Sequence, residues 1–150
     1  MDAMTDDTAE AEAQLASAIA ERATMFVELA TGEGAPLPPE ALDFSSDSLD
    51  VVDEILETFH AQGGDLPEPL LWMVSSYVLE VARREYGGRY FSGPESDPVV
   101  LVMGEPVVQV GIMVFGKVRG RVTNGEADSI TFFYDGIEAA IARGVNATIV

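Results

Sequence analysis

Four acidic side chains, Asp50, Asp53, Glu54 and Glu57, stand at positions i, i+3, i+4 and i+7. In a helix this spacing puts all four on one face. Like charges so placed destabilise a helix by about 0.2–0.5 kcal/mol per pair, and the neighbouring sequence offers no basic residue to relieve them. Such a face either stands in solvent or docks a basic partner, so the quartet is the candidate partner-binding site. Just upstream, Asp43, Ser45, Asp47 and Glu54 match positions 1, 3, 5 and 12 of a calcium-loop spacing. Ser48 stands where that loop needs its glycine, and the segment from Ser48 onward is helical in pattern. No calcium loop is expected.

Other reactive chemistry is scarce. The chain has no cysteine and a single histidine, His60. Disulfides, thiolate nucleophiles and zinc–thiolate sites are therefore excluded. A catalytic histidine needs a nucleophile and an orienting carboxylate; the ordinary reading of His60 is a helix-terminal, partly buried side chain. There is no Gly-x-Ser-x-Gly elbow, phosphate-cradling loop or dinucleotide fingerprint. We expect no cofactor, no metal and no catalysis. Lys117, Arg119 and Arg121 form a basic cluster that either offsets the acidic helices or stands in solvent. Trp72, Tyr77 and Tyr86 read as core aromatics, with a small-ligand pocket as the alternative.

These residues need elements to hold them. A first helix is expected from near Thr8, with Leu15, Ile19, Met25, Phe26 and Leu29 as its apolar stripe. Residues 1–7 read as a flexible acidic tail. Gly32, Gly34 and three prolines end that helix. A second helix follows Asp47, read as its N-cap with Asp50 three residues on, and stops at Gly63-Gly64. A third runs from Pro67 or Pro69 to Gly87-Gly88. Its apolar residues, from Leu70 to Val81, surround most of its circumference, which marks it as central. Ser75-Ser76 offers a patch for close approach, and Glu80 is spaced to pair with Arg83 and Arg84.

The pattern then changes to β-branched and aromatic runs at 89–91, 99–103 and 107–113. Gly104-Glu105-Pro106 reads as the turn between two antiparallel strands, with Tyr90-Phe91 as a third. Beyond Lys117 two readings compete: a hairpin about Asn124-Gly125, or a short helix and then a last helix from Ile130 to Arg143 capped by Asp128. The alanine-rich end favours the helices.

Length and apolar content fit one domain, residues 8–150, with enough material for a core. The charge is lopsided. Residues 1–68 carry 17 acids and one arginine, and residues 69–150 carry 9 acids and 7 bases, in a chain of net charge −18. A field of that sign repels nucleic-acid backbone and anionic membrane and favours basic partners. No apolar run is long enough to span a bilayer. The acidic, alanine-rich start lacks the form of a secretory leader, so a bacterial-type cytoplasm is the expected compartment. One lysine against seven arginines suggests a GC-rich source.

The order of features resembles a group of small uncharacterised bacterial proteins, domains of unknown function, over about residues 44–138. The resemblance rests on the Ser48-Leu49 helix start, Tyr77 and Glu80, then Arg84 and Gly87-Gly88. Valine-rich strands follow, then Lys117-Val118 with Arg121, Asn124-Gly125, Asp128-Ser129-Ile130 and Phe133-Tyr134. It implies no catalytic residue. Some domains of this kind look like immunity proteins for bacterial toxins, a fold-level analogy.

The expected architecture is α+β: three N-terminal helices, a small antiparallel sheet and a C-terminal helical segment. The expected function is a non-catalytic cytoplasmic interaction protein whose acidic N-terminal half binds a basic protein, immunity or antitoxin-like in one concrete form. A small-ligand domain with a pocket between the central helix and the sheet is the first alternative, and an unrecognised hydrolase the second.

Overall fold

A computed structural model describes residues 2–150, with side chains from residue 9 on. The fold is α+β. Helices α1 (Asp2–Thr31), α2 (Leu49–Ala61) and α3 (Glu68–Tyr86) precede strands β1 (Arg89–Ser92), β2 (Val99–Met103) and β3 (Val110–Ile112). Helices α4 (Val114–Asn124) and α5 (Ile130–Arg143) and strand β4 (Ala147–Ile149) complete the chain. The tail expected at residues 1–7 falls on Met1, outside the described residues, and on the first turns of α1.

Helix α3 is the centre of the molecule. Ten consecutive-to-near positions, among them Val74, Tyr77, Val78, Leu79 and Val81, are buried. Ser75 and Ser76 are also fully buried, as side chains small enough for close packing. Helix α1 packs along α3 through Ile19, Ala23 and Phe26, which recur at helical spacing and are almost wholly buried. Met25 and Leu29, expected in that stripe, are 46% and 60% exposed; they fall about 100° per residue away from the buried line.

The sheet has strand order β1-β2-β3-β4. The first three strands pair antiparallel, with Tyr90 opposite Leu101 and Leu101 opposite Ile112. The expectation of a purely antiparallel sheet is corrected by β4, which returns after α4 and α5 to lie parallel to β3, Gly111 opposite Thr148. A parallel neighbour needs a crossover, and two helices supply it. Tyr90, Leu101, Met103, Val110 and Ile112 face the helices and are buried. Phe91, Val100, Val102 and Met113 alternate to the other face, where they line an open concavity of about 600 Å³.

The segment 117–143 is helical, as its alanine content suggested. Its caps differ from the expected ones. Ser129, rather than Asp128, accepts the Phe132 N–H at the start of α5; Asp128 is drawn away by Lys117 (3.0 Å) and Asn124 (2.8 Å). Likewise Asp47 does not cap α2. Ser45 caps a short 3-10 turn, Ser46–Ser48, that feeds directly into the helix. The N-terminus of α4 is served from outside: Asp97, 7% exposed, accepts the Gly116 N–H at 3.0 Å, placing an anion where the helix dipole favours one.

The loop before α2 is tied to the core by Tyr77. Its hydroxyl accepts the Phe44 N–H at 2.9 Å and bonds the Ser48 hydroxyl at 2.7 Å. Phe44 has a φ of 65°, an uncommon conformation for a bulky residue. Its ring lies between Tyr77, 4.8 Å away, and the Arg84 guanidinium at 3.6 Å. Arg84 is thus engaged with Phe44, and Glu80 pairs with Arg83 alone among the described residues.

Candidate functional site

The four carboxylates of α2 part company in three dimensions. Helix α2 packs against α4 and α5, and α4 turns Arg121 toward it. Arg121 is 2% exposed; its Nε donates to Asp53 at 2.9 Å and its Nη1 to Glu57 at 2.7 Å. The reading that nothing basic relieves the quartet is therefore corrected: the cation arrives from 68 and 64 residues downstream. Asp53 also accepts the Ile130 N–H at 3.0 Å. One carboxylate thus joins α2, α4 and the start of α5, satisfying a helix N-terminal donor with a negative charge.

His60 extends the same junction one turn further. Its Nδ1 lies 2.8 Å from the Val122 carbonyl, so that nitrogen carries the proton and donates. The other side of the ring lies against Gly125, where an added Cβ would come within 2.9 Å of Nε2. Asp53, Glu57 and His60 form the side of α2 that holds α4, and their chemistry is structural.

Asp50 and Glu54 remain. Both are exposed, and neither has an ion pair among the described residues. Asp50 lies at a notch of about 290 Å³ between the start of α2 and the first turns of α5. Asp47 and Ser46 line one wall, Thr131, Tyr134 and Asp135 the other. The Tyr134 hydroxyl donates to Glu85. Burial pushes that hydroxyl well above the ordinary tyrosine range, with Glu85 adding to the shift, so the group stays a neutral donor. The notch accordingly presents the carboxylates of Asp47, Asp50 and Asp135 with no compensating cation among the described residues.

Sequence reasoning missed the α5 wall. Asp135 lies five residues beyond the start of α5, an exposed acid on an amphipathic helix, and nothing in one sequence says that it faces Asp50. The calcium-spacing residues do not assemble as a loop. Asp43 bonds the backbone and hydroxyl of Ser45 (3.0 and 2.5 Å), and these bonds hold its carboxyl below the usual range. Glu54 lies on the exposed side of α2. No group of three or more metal-ligating side chains is gathered among the described residues.

The basic cluster is dispersed into the fold. Lys117 pairs with Asp128 and lies over the Phe133 ring at 5.8 Å, Arg119 donates to the Ser96 carbonyl, and Arg121 is spent on α2. Trp72 packs edge-on against Phe115 at 4.7 Å beneath Arg22, Tyr77 is fully buried, and Tyr86 lies 6.1 Å from Tyr134. No helix among the described residues is long and apolar enough to cross a membrane. No known protein family, curated protein or solved structure matches the chain.

Proposed function

We propose that this chain is a non-catalytic, cytoplasmic interaction protein that binds a basic protein partner through the acidic notch and the adjoining face of α2. The reading rests on one observation: Asp47 and Asp50 of the α2 start and Asp135 of α5 converge on a concave surface without a neutralising cation among the described residues, with Glu54 exposed one turn beyond Asp50. A recess of about 290 Å³ has room for an arginine or lysine side chain, and three carboxylates offer more acceptors than either has donors to place. The surplus of negative charge across the N-terminal half draws such a partner in from a distance. An immunity or antitoxin-like role is one concrete form of this binding.

The test uses an arginine-rich peptide as probe and the Asp50→Asn/Glu54→Gln/Asp135→Asn variant. The parent chain should bind the peptide with an affinity that falls steeply as salt rises. The variant should bind roughly tenfold or more weakly, as loss of charge-assisted contacts predicts, with its urea midpoint unchanged or raised. Equal affinity for parent and variant, or binding that ignores salt, overturns the proposal.

A further inference from the structure

A second recess, of about 520 Å³, lies between α1, the C-terminal half of α3 and the start of β1. Its volume falls in the range of small-molecule sites. At its base is a carboxylate that the fold has taken out of water: Glu80 is 2% exposed. Tyr90 donates its hydroxyl to Glu80 at 2.9 Å, and Arg83 grips the same carboxylate through Nε and, at 3.3 Å, through Nη2. Burial, reinforced by the Glu80 charge, pushes the Tyr90 hydroxyl far above its ordinary range, so this group is a fixed neutral donor.

The arrangement has a consequence for Arg83. A guanidinium has five N–H donors in a rigid fork. Glu80 occupies the Nε edge, which leaves Nη1 and the outer N–H of Nη2 without a protein acceptor among the described residues. The Arg83 side chain is 40% exposed and lines the recess. A buried carboxylate therefore holds a guanidinium in one orientation at the surface of a cavity, with three N–H donors left over.

The opposite wall supplies the complementary group. Glu12 of α1 lines the recess, and its Oε1 is buried without a hydrogen-bond partner among the described residues. Its nearest cation, Arg89 Nη1, is 3.8 Å away, and Arg89 directs its Nε and Nη2 donors to Glu105. A buried carboxylate oxygen without a donor is unfavourable, and a ligand donor would relieve it. Between these two groups α1 presents Ala13 and Ala16, short side chains that leave the space open and apolar.

We propose that this recess binds a small zwitterion of the free amino-acid class. The carboxylate takes the unused donors of Arg83, the ammonium donates to Glu12, and a short apolar side chain lies on Ala13 and Ala16. A simple carboxylate would leave Glu12 Oε1 without a hydrogen-bond donor and face its charge. A simple amine would face Arg83 and Arg89. A molecule with both charges satisfies both walls. This site is apart from the acidic notch and stands or falls independently of it.

The experiment titrates the full chain calorimetrically with each common free amino acid at neutral pH, with propionate and propylamine as single-charge probes. Three variants are compared: Arg83→Lys, which keeps a cation beside Glu80 but loses the fork; Glu12→Gln; and Ala16→Leu, which fills the recess without touching a charge. At least one amino acid should bind saturably, with both single-charge probes weaker by roughly tenfold or more, since each lacks one charge-assisted contact. All three variants should lose that binding while keeping the parent circular dichroism spectrum. The proposal is overturned if no amino acid binds at millimolar concentration, if propionate binds as well as the best amino acid, or if Ala16→Leu binds like the parent.

Discussion

Arg121 separates the two halves of the acidic face by experiment. Replacing it with methionine keeps most of the volume between α2 and α4 but removes the cation that serves Asp53 and Glu57. Removing one partner of a fully buried ion pair costs about 3–5 kcal/mol, because the other charge is left stranded. Here the stranded groups are not equally buried. The Glu57 side chain is 46% exposed and can rehydrate, whereas that of Asp53 is 20% exposed and retains only the Ile130 N–H. The expected loss is therefore about 2–4 kcal/mol, with most of it charged to Asp53. With an urea slope of about 2 kcal/mol/M for a domain of this size, the midpoint should fall by roughly 1–2 M. The single tryptophan, Trp72, reports the transition because its ring sits against Phe115 in the α3–α4 contact. Glu57→Gln should cost about 1 kcal/mol or less, as for a partly exposed pair. Asp50→Asn should be neutral or stabilising, because it relieves like-charge repulsion. If Arg121→Met moves the midpoint no more than Asp50→Asn does, the division of the quartet into structural and free carboxylates is refuted.

Other consequences can be checked alongside it. Tyr77→Phe removes the hydroxyl that joins Phe44 to Ser48; it should cost about 1–3 kcal/mol and make residues 43–48 the first site of limited proteolysis. Gly125→Ala meets both a φ of +80° and the His60 ring, so it should destabilise by about 1 kcal/mol or more, and part of that cost should vanish in a His60→Ala background. The four tyrosines, Tyr77, Tyr86, Tyr90 and Tyr134, are all held above the ordinary value chiefly by burial, Tyr86 up to about 12. A raised folded-state value means the fold retains the proton longer than the unfolded chain. The associated stability is whole below pH 10 and is lost as pH climbs toward 12. A tyrosinate absorbance titration should accordingly show no ionisation step near 10 in the folded protein, and a cooperative one where the protein unfolds; four independent steps near 10 would contradict the burial described.

What the sequence disclosed follows the range over which its physics acts. Helix α3 was legible because apolar residues on nearly every side of a helix leave it nowhere to go but the centre, and Gly87 marks its end. The helical ending of the chain was legible from the alanines after Ile137. Strand β4 was not, because three residues pairing in parallel with a strand far upstream carry no local turn signal. The spacing of Asp50, Asp53, Glu54 and Glu57 announced a shared face, but which of them would be paired depended on Arg121, whose approach is a tertiary event. The same limit hid Asp135 behind Asp50 and Glu12 opposite Arg83. Local rules also misplaced the caps at Asp47 and Asp128, where Ser45 and Ser129 do the capping and Lys117 and Asn124 of α4 claim Asp128.

The most direct measurement of the proposed binding surface is a nuclear magnetic resonance titration of the isotopically labelled chain with an arginine-rich peptide, repeated at low and high salt. The account predicts that backbone amide shifts at low salt concentrate on Asp47, Asp50 and Glu54 and on Thr131 and Asp135, and that they fade at high salt while Asp53, Glu57 and Arg121 hold their contacts. Shifts centred on the open sheet face at Phe91, Val100 and Thr148, or no shifts at either salt concentration, would contradict it.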